Sequence, residues 1–217
     1  MGRYHTVLFD MDGTILDTLD DLTDSVNHTL RRMGCPERTR EEVRTFLGYG
    51  SRYLIEQALG AAAETASVDE AFLIYRAWYG THTQIKTKPY DGITDVMHAL
   101  RAHGIRVAVA SNKPEPMVRL LCEYHFPGLV DAAVGDVEGR ARKPQPDMID
   151  AALADLGVPR DGAVYVGDTE VDVQTAKNAG LPVIAVGWGF RSKAQQLEAG
   201  ASVFADTPDE LLALLTE

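Results

Sequence analysis

Apolar residues follow two rhythms along this chain. Short continuous runs, Val7-Leu8-Phe9, Val107-Ala108-Val109-Ala110, Ala163-Val164-Tyr165-Val166 and Val183-Ile184-Ala185-Val186, are each cut off by glycine or by polar residues. Such runs read as strands buried on both faces of a parallel sheet. Asp131–Val134 and Ser202–Phe204 are weaker candidates of the same kind. Between the runs, apolar residues recur three and four apart. That spacing predicts helices over 92–102, from Pro114 to about Glu123, from Pro146 to Leu156, from Asp172 to Ala179, near 192–199 and over 208–216. Strand and helix therefore alternate through the second half, the pattern of a doubly wound, Rossmann-like parallel sheet in an α/β protein.

Residues 15–88 break the alternation. Leu19, Leu22, Val26 and Leu30 keep helical spacing up to Gly34, behind Thr18 and Asp21 at the spacing of a capping box. Further helices are expected at about 40–47, 51–60 and 69–83 with no strand among them, and the turn signal Lys88-Pro89-Tyr90-Asp91-Gly92 closes the segment. The expected organisation is an α/β core, 1–14 plus 89–217, with a small all-helical domain, 15–88, inserted after the first strand. A lid is the natural role for an insertion there, because closure expels water and completes a pocket.

Composition narrows the function classes. The 217 residues suit one α/β domain with a small insert, and 45% hydrophobic content suits a substantial core. A net charge of −11 argues against nucleic-acid and anionic-membrane partners, which need a basic face. A small anionic substrate stays compatible if a cation makes one local positive pocket. No apolar run approaches a membrane span and no secretion leader is evident. Cys35 and Cys122 lie far apart in no ligand spacing and suit packing roles in a reducing cytoplasm. The amphipathic helices of the insert are consistent with a monomer or a homodimer.

The chemistry gathers at strand ends. Thr6–Phe9 runs straight into Asp10-Met11-Asp12-Gly13-Thr14. Residues two apart on an extended segment share a face, so Asp10 and Asp12 crowd two charges together at the mouth of a strand. Such a pair is costly unless one is protonated or a cation intervenes, and a hard divalent ion such as Mg2+ is the economical solution. The next core strand ends in Ser111-Asn112-Lys113, the loop after the third carries Arg140, Arg142 and Lys143, and the fourth ends in Gly167-Asp168-Thr169-Glu170-Val171-Asp172. Ligands of open parallel sheets sit beyond the carboxyl ends of the strands. Carboxylates, a hydroxyl, an amide and a lysine on that edge suit a bound cation facing a phosphate.

Asp10-Met11-Asp12-Gly13-Thr14, Ser111-Asn112, Lys143-Pro144 and Gly167-Asp168 with Asp172 resemble, in order and each at a strand end, the four motifs of the haloacid dehalogenase superfamily. The helical insert resembles its smaller cap type. Ser111-Asn112-Lys113-Pro114 and the similarity along the chain resemble the bacterial phosphoglycolate phosphatase branch. The resemblance implies that Asp10 is a nucleophile forming an aspartyl-phosphate, and that Asp12 is the general acid and base. It implies Mg2+ held by Asp10, Asp168 and the Asp12 backbone carbonyl. Ser111 and Asn112 would bind the substrate phosphoryl group, and Lys143 would neutralise that group and orient the nucleophile. Asp172 would support the metal from behind its ligands or cap the helix starting at Val173. Glu170 reads as a solvated loop acid. Arg52, behind Gly48-Tyr49-Gly50 in the insert, is a candidate grip for a substrate anion.

The function so implied is Mg2+-dependent hydrolysis of a small phosphomonoester, 2-phosphoglycolate foremost. A phosphomutase or a pyrophosphatase on the same scaffold is the enzymatic alternative. A phospho-acceptor signalling domain is the alternative outside enzymes, disfavoured by the insert and by Asp12.

Overall fold

The computed structural model describes residues 4–64 and 67–217. The chain divides into two compact units, Met1–Leu16 with Pro89–Glu217, and Asp17–Lys88. In the first, six strands form one all-parallel sheet: β1 (Thr6–Phe9), β4 (Arg106–Pro114), β5 (Ala132–Asp136), β6 (Ala163–Gly167), β7 (Val183–Val186) and β8 (Phe204–Ala205). Their spatial order is β5-β4-β1-β6-β7-β8. The first strand is central, and successive strands are added on one side of it and then on the other. That reversal opens a crevice beyond the carboxyl end of β1.

Alternation along each strand explains why the apolar runs are continuous. Val7 and Phe9 join one fully buried cluster with Val107, Val109, Val164, Val166, Ile184 and Val186. Leu8 joins another on the opposite face with Ala108, Ala110, Val134 and Tyr165. Helices α5 (Ile93–Ala102), α6 (Glu115–His125) and α10 (Pro208–Thr216) bring Val96, Leu100, Val118, Leu121, Leu211 and Leu215 to the first cluster. Helices α7 (Asp147–Leu156) and α8 (Glu170–Ala179) bring Met148, Ile149, Ala152 and Ala176 to the second. A ninth helix, α9, covers Lys193–Glu198. Cys122 is buried beside Leu121, and burial pushes its thiol up to about 12, which makes it an inert packing residue.

The second unit holds α1 (Leu19–Arg32), α2 (Arg40–Thr45), α3 (Ser51–Leu59), a 3-10 turn at Gly60–Glu64 and α4 (Val68–Tyr79). Leu22, Val26 and Leu30 of α1, Val43 of α2, Leu54 and Ile55 of α3, and Tyr75 and Tyr79 of α4 are all buried. Three expectations need correction. The segment is not free of strand, since Leu16–Asp17 (β2) and Lys88–Pro89 (β3) pair with each other where the chain leaves and re-enters the core. Helix α4 stops at Tyr79 rather than near 83, with Gly80 at its C-cap.

The third correction concerns the capping box. Thr18 precedes α1, but its backbone is near-helical (φ −105°, ψ −1°) and its hydroxyl makes no cap hydrogen bond. A side-chain cap needs extended backbone at that position. Asp21 is meanwhile engaged elsewhere. Its Oδ2 accepts from the backbone N–H groups of Ile85 (3.0 Å), Lys86 (3.0 Å) and Thr87 (2.9 Å) and from the Thr87 hydroxyl (2.8 Å). One carboxylate thus ties the end of the insert to its first helix. Asp21→Ala should destabilise the protein by roughly 2–4 kcal/mol, because three backbone donors lose a charged acceptor. Asp20→Ala, which removes only an exposed pair with Arg40, should cost about 0.5 kcal/mol or less. Thermal melting of the two variants tests the difference; equal shifts would refute the anchoring role.

Candidate active site

Asp10 follows the last residue of β1, and its backbone N–H donates to Val166 O of β6 (2.8 Å). The residue is 6% exposed. Oδ1 accepts from Lys143 Nζ at 2.8 Å, while Oδ2 has no hydrogen-bond partner among the described residues. Lys143 lies in the loop after β5, 4% exposed, and its ammonium also donates to Asp172 Oδ1 (2.8 Å) and to the Tyr165 hydroxyl (3.0 Å). The Tyr165 hydroxyl in turn donates to Ala110 O at 2.9 Å. One buried ammonium therefore bridges the ends of β1 and α8.

The loop that carries Lys143 is fixed from β4. Asn112 Nδ2 donates to Lys143 O (3.0 Å), and Lys143 N donates to Asn112 Oδ1 (2.9 Å). Both polar ends of the amide thus face the lysine backbone, so Asn112 holds the segment that carries Lys143. Next to it, Ser111 is 2% exposed and its Oγ accepts a long bond from Lys113 N (3.4 Å).

Asp168 follows β6 and is fully buried. Thr14 Oγ1 donates to its Oδ1 (2.9 Å) and the Phe190 N–H to its Oδ2 (2.7 Å). Gln196 Nε2 donates to its backbone oxygen (2.9 Å). The chain passes so close here that a Cβ on Gly13 would lie 2.4 Å from Asp168 Oδ2, at a φ of +90° that only glycine adopts comfortably. The glycine that ends the first motif is thus required by the carboxylate of the fourth.

Asp172 is the third residue of α8, not the residue before a helix starting at Val173; the N-cap is Thr169. Its Oδ2 accepts from Thr169 N (3.0 Å) and Thr169 Oγ1 (2.7 Å), so it closes a capping box from inside the helix. Glu170 is no solvated loop acid either. It opens α8 and pairs with Arg191 Nε at 2.8 Å.

Asp12 is half-buried and turned to Lys113, whose ammonium reaches its Oδ1 (2.8 Å) and Oδ2 (3.0 Å). Arg52 lies in α3 of the other unit, where its guanidinium pairs with Asp69 (2.7 Å) and Glu56 (3.3 Å).

Burial dominates the electrostatics. It pushes Asp10 up to about 7, with Asp172 and Asp12 adding to the rise and Lys143 opposing it. Burial, then Asp172 and Asp10, hold Asp168 well above the usual carboxylate range. Burial pulls Lys143 down, but Asp10 and Asp172 outweigh it and keep the lysine well above its ordinary value. Asp10, Asp168 and Asp172 each offer an oxygen within 4.8 Å of the others. Their donors are all hard carboxylate oxygens, the set that Mg2+ prefers. Four carboxylates, with Asp12, face the two ammonium groups of Lys143 and Lys113. The shortfall of two positive charges is what a divalent cation cancels. Asp168 and Asp172 accept on both oxygens, while Asp10 keeps Oδ2 without a hydrogen-bond partner among the described residues. The expected Asp12 contact concerned its backbone carbonyl, which the Lys113 pairing does not touch.

Sequence reasoning placed Lys113 on the sheet edge without a role and passed over Thr14 and Tyr165. Tyr165 alone carried a signal: a hydroxyl inside an otherwise apolar, doubly buried strand needs a partner.

Known proteins resemble this chain along nearly its whole length. A phosphoglycolate phosphatase of Rhodospirillum rubrum is 34% identical, over 92% of this chain and 86% of its own. A crystal structure of a candidate phosphoglycolate phosphatase from Lactobacillus delbrueckii subsp. bulgaricus superposes with a TM-score of 0.94 at 39% identity, covering 100% of this chain and 99% of that one. CbbY from Rhodobacter sphaeroides, solved in complex with phosphate, superposes with a TM-score of 0.76 at 27% identity, covering 98% and 99%. The family model for haloacid dehalogenase-like hydrolases matches residues 7–186, from β1 to the last residue of β7. With the match spanning every strand that carries a site residue, the chain belongs to the haloacid dehalogenase-like hydrolases and is an enzyme.

Proposed function

We propose that this enzyme is a Mg2+-dependent phosphatase of small phosphomonoesters, with 2-phosphoglycolate as its foremost substrate. The observation that carries the reading is the buried Lys143 ammonium, which holds one oxygen of Asp10 and leaves the other free. In the proposed reaction the free Oδ2 attacks phosphorus and the bond to the leaving ester oxygen breaks. Asp12, entering protonated, gives that oxygen its proton. Asp12 then takes a proton from water, whose oxygen attacks phosphorus and releases Asp10. Splitting one displacement in two lets the same pair of carboxylates serve both halves. Lys143 offsets charge on the transferring group, and Ser111 at the end of β4 is placed to bind its oxygens. Mg2+ held by Asp10 and Asp168, with Asp172 behind them, would supply the remaining positive charge.

The choice of substrate follows the curated relatives of similar length, which are named phosphoglycolate phosphatases. A phosphate-release screen over 2-phosphoglycolate, pyrophosphate, hexose phosphates and mononucleotides tests it. Phosphate should be released fastest from 2-phosphoglycolate, fall to background in excess chelator, and return with added Mg2+. Full activity in chelator would overturn the metal assignment. A preference for pyrophosphate, or isomerisation of a sugar phosphate without net phosphate release, would replace the substrate and reaction with the alternatives above.

A further inference from the structure

Lys113 is a lysine with almost no access to water, 4% exposed, that none of the steps above uses. Its burial is built by the end of β4. The strand carries a register irregularity between Ala110 and Pro114, and every residue from Val107 to Lys113 is buried. Strict alternation would have sent Lys113 and Ser111 to one face and Asn112 to the other. The irregularity instead collects three consecutive polar side chains at the carboxyl end of the sheet. The neighbouring strand locks that path. A Cβ on Gly135 would lie 2.6 Å from Lys113 O and 2.5 Å from Glu115 Cα, so β5 lies against this backbone with no room for a side chain. Glu115 closes the contact, accepting from Gly135 N and from Arg140.

The rigid strand end delivers one ammonium to both oxygens of Asp12, at 2.8 and 3.0 Å. Lysine carries several donors and costs considerable free energy to bury, so this placement needs a use beyond packing. We propose that Lys113 is a positioning residue that aims Asp12 at the leaving group. Gripped by both oxygens, Asp12 is held in a single rotamer. When Asp12 carries its proton, one oxygen stays on Lys113 and the other presents the proton to the ester oxygen as the phosphorus–oxygen bond breaks. This inference rests on the acid role proposed for Asp12.

The test exploits the leaving group. An alkoxide needs the proton from Asp12, whereas p-nitrophenolate leaves without help. Dephosphorylation is common to all substrates, so the first step is read in single turnovers as the rate of leaving-group release. Lys113→Met should lower that rate for 2-phosphoglycolate ~10²-fold, the effect of a misplaced catalytic group. It should lower the rate of p-nitrophenolate release from p-nitrophenyl phosphate only ~3-fold or less, because general acid assistance contributes little to a good leaving group. In an Asp12→Asn background the same substitution should change neither rate. Lys113→Gln, which keeps a polar head in the same space, should repeat the pattern and serves if the Met variant does not fold. Equal losses on both substrates, or losses that add to those of Asp12→Asn, would overturn the positioning role. Should Asp12→Asn itself treat both substrates alike, the acid role of Asp12 fails instead, and with it the premise rather than the geometry.

Discussion

Asp10→Asn is expected to lower phosphate release by ~10⁴-fold or more while leaving the protein folded, because it removes the attacking atom itself. The amide keeps the size of the carboxylate, and its oxygen can still accept from Lys143 Nζ, which holds Asp10 Oδ1 at 2.8 Å in the native protein. What it lacks is a nucleophilic Oδ2. Stability should not fall, since the change also removes one member of a buried trio whose oxygens lie within 4.8 Å of one another. Asp10 is the member that burial and its carboxylate neighbours already push up to about 7. Single-turnover phosphate release and phosphate incorporation into protein, measured beside thermal melting, separate the two effects. Turnover within tenfold of the native enzyme would remove Asp10 from the mechanism, and lost turnover with a collapsed melting curve would leave its role to a different substitution.

The sheet was legible because its strands are buried on both faces, so Val7-Leu8-Phe9 and its counterparts read as unbroken apolar runs. The placement of Asp10, Ser111, Lys143 and Asp168 on one edge followed from that topology, since each ends or follows a parallel strand. Pairing was not legible, because the partners are set by three-dimensional approach. Thr18 and Asp21 have the spacing of a local cap, yet Asp21 accepts from residues more than sixty positions away. Asn112 looks like a ligand in a motif, yet the cis peptide at Lys143-Pro144 lies beside the backbone it holds.

The same limit explains the two lysines. Lys113 lies near the end of β4 and Lys143 in the loop after β5, in polar stretches where a lysine is ordinarily a solvated charge. The resemblance implied that Lys143 orients Asp10, but its second contact with Asp172 and the pairing of Lys113 with Asp12 emerge only in three dimensions. Helix α8 begins at Glu170, two residues earlier than periodicity suggested. Its first turn is marked by the capping pair Thr169 and Asp172 and not by an apolar residue. The shift matters to the chemistry, because it turns Asp172 from a residue expected just before the helix into a carboxylate fixed inside its first turn.

Lys143→Met should be the most destabilising of the single substitutions considered, and the destabilisation should respond to Mg2+. The native lysine side chain is 2% exposed and its ammonium lies 2.8 Å from both Asp10 and Asp172, whose side chains are 9% and 1% exposed. Removing one partner of a buried ion pair leaves the other charge uncompensated, at a typical cost of about 3–5 kcal/mol. For a chain of this size that is a fall of roughly 10 °C in melting temperature. Methionine fills the space of the lysine stem, so the loss reports charge and not a cavity. Activity should fall below detection for the same reason that Asp10 loses its orientation. The cation supplies positive charge to the same oxygens, so added Mg2+ should raise the melting temperature of the variant more than that of the native protein. Melting curves in chelator and in saturating Mg2+ measure both effects. Equal Mg2+ shifts in the two proteins would mean that the ion and Lys143 do not share these carboxylates, and would move the metal away from Asp10 altogether.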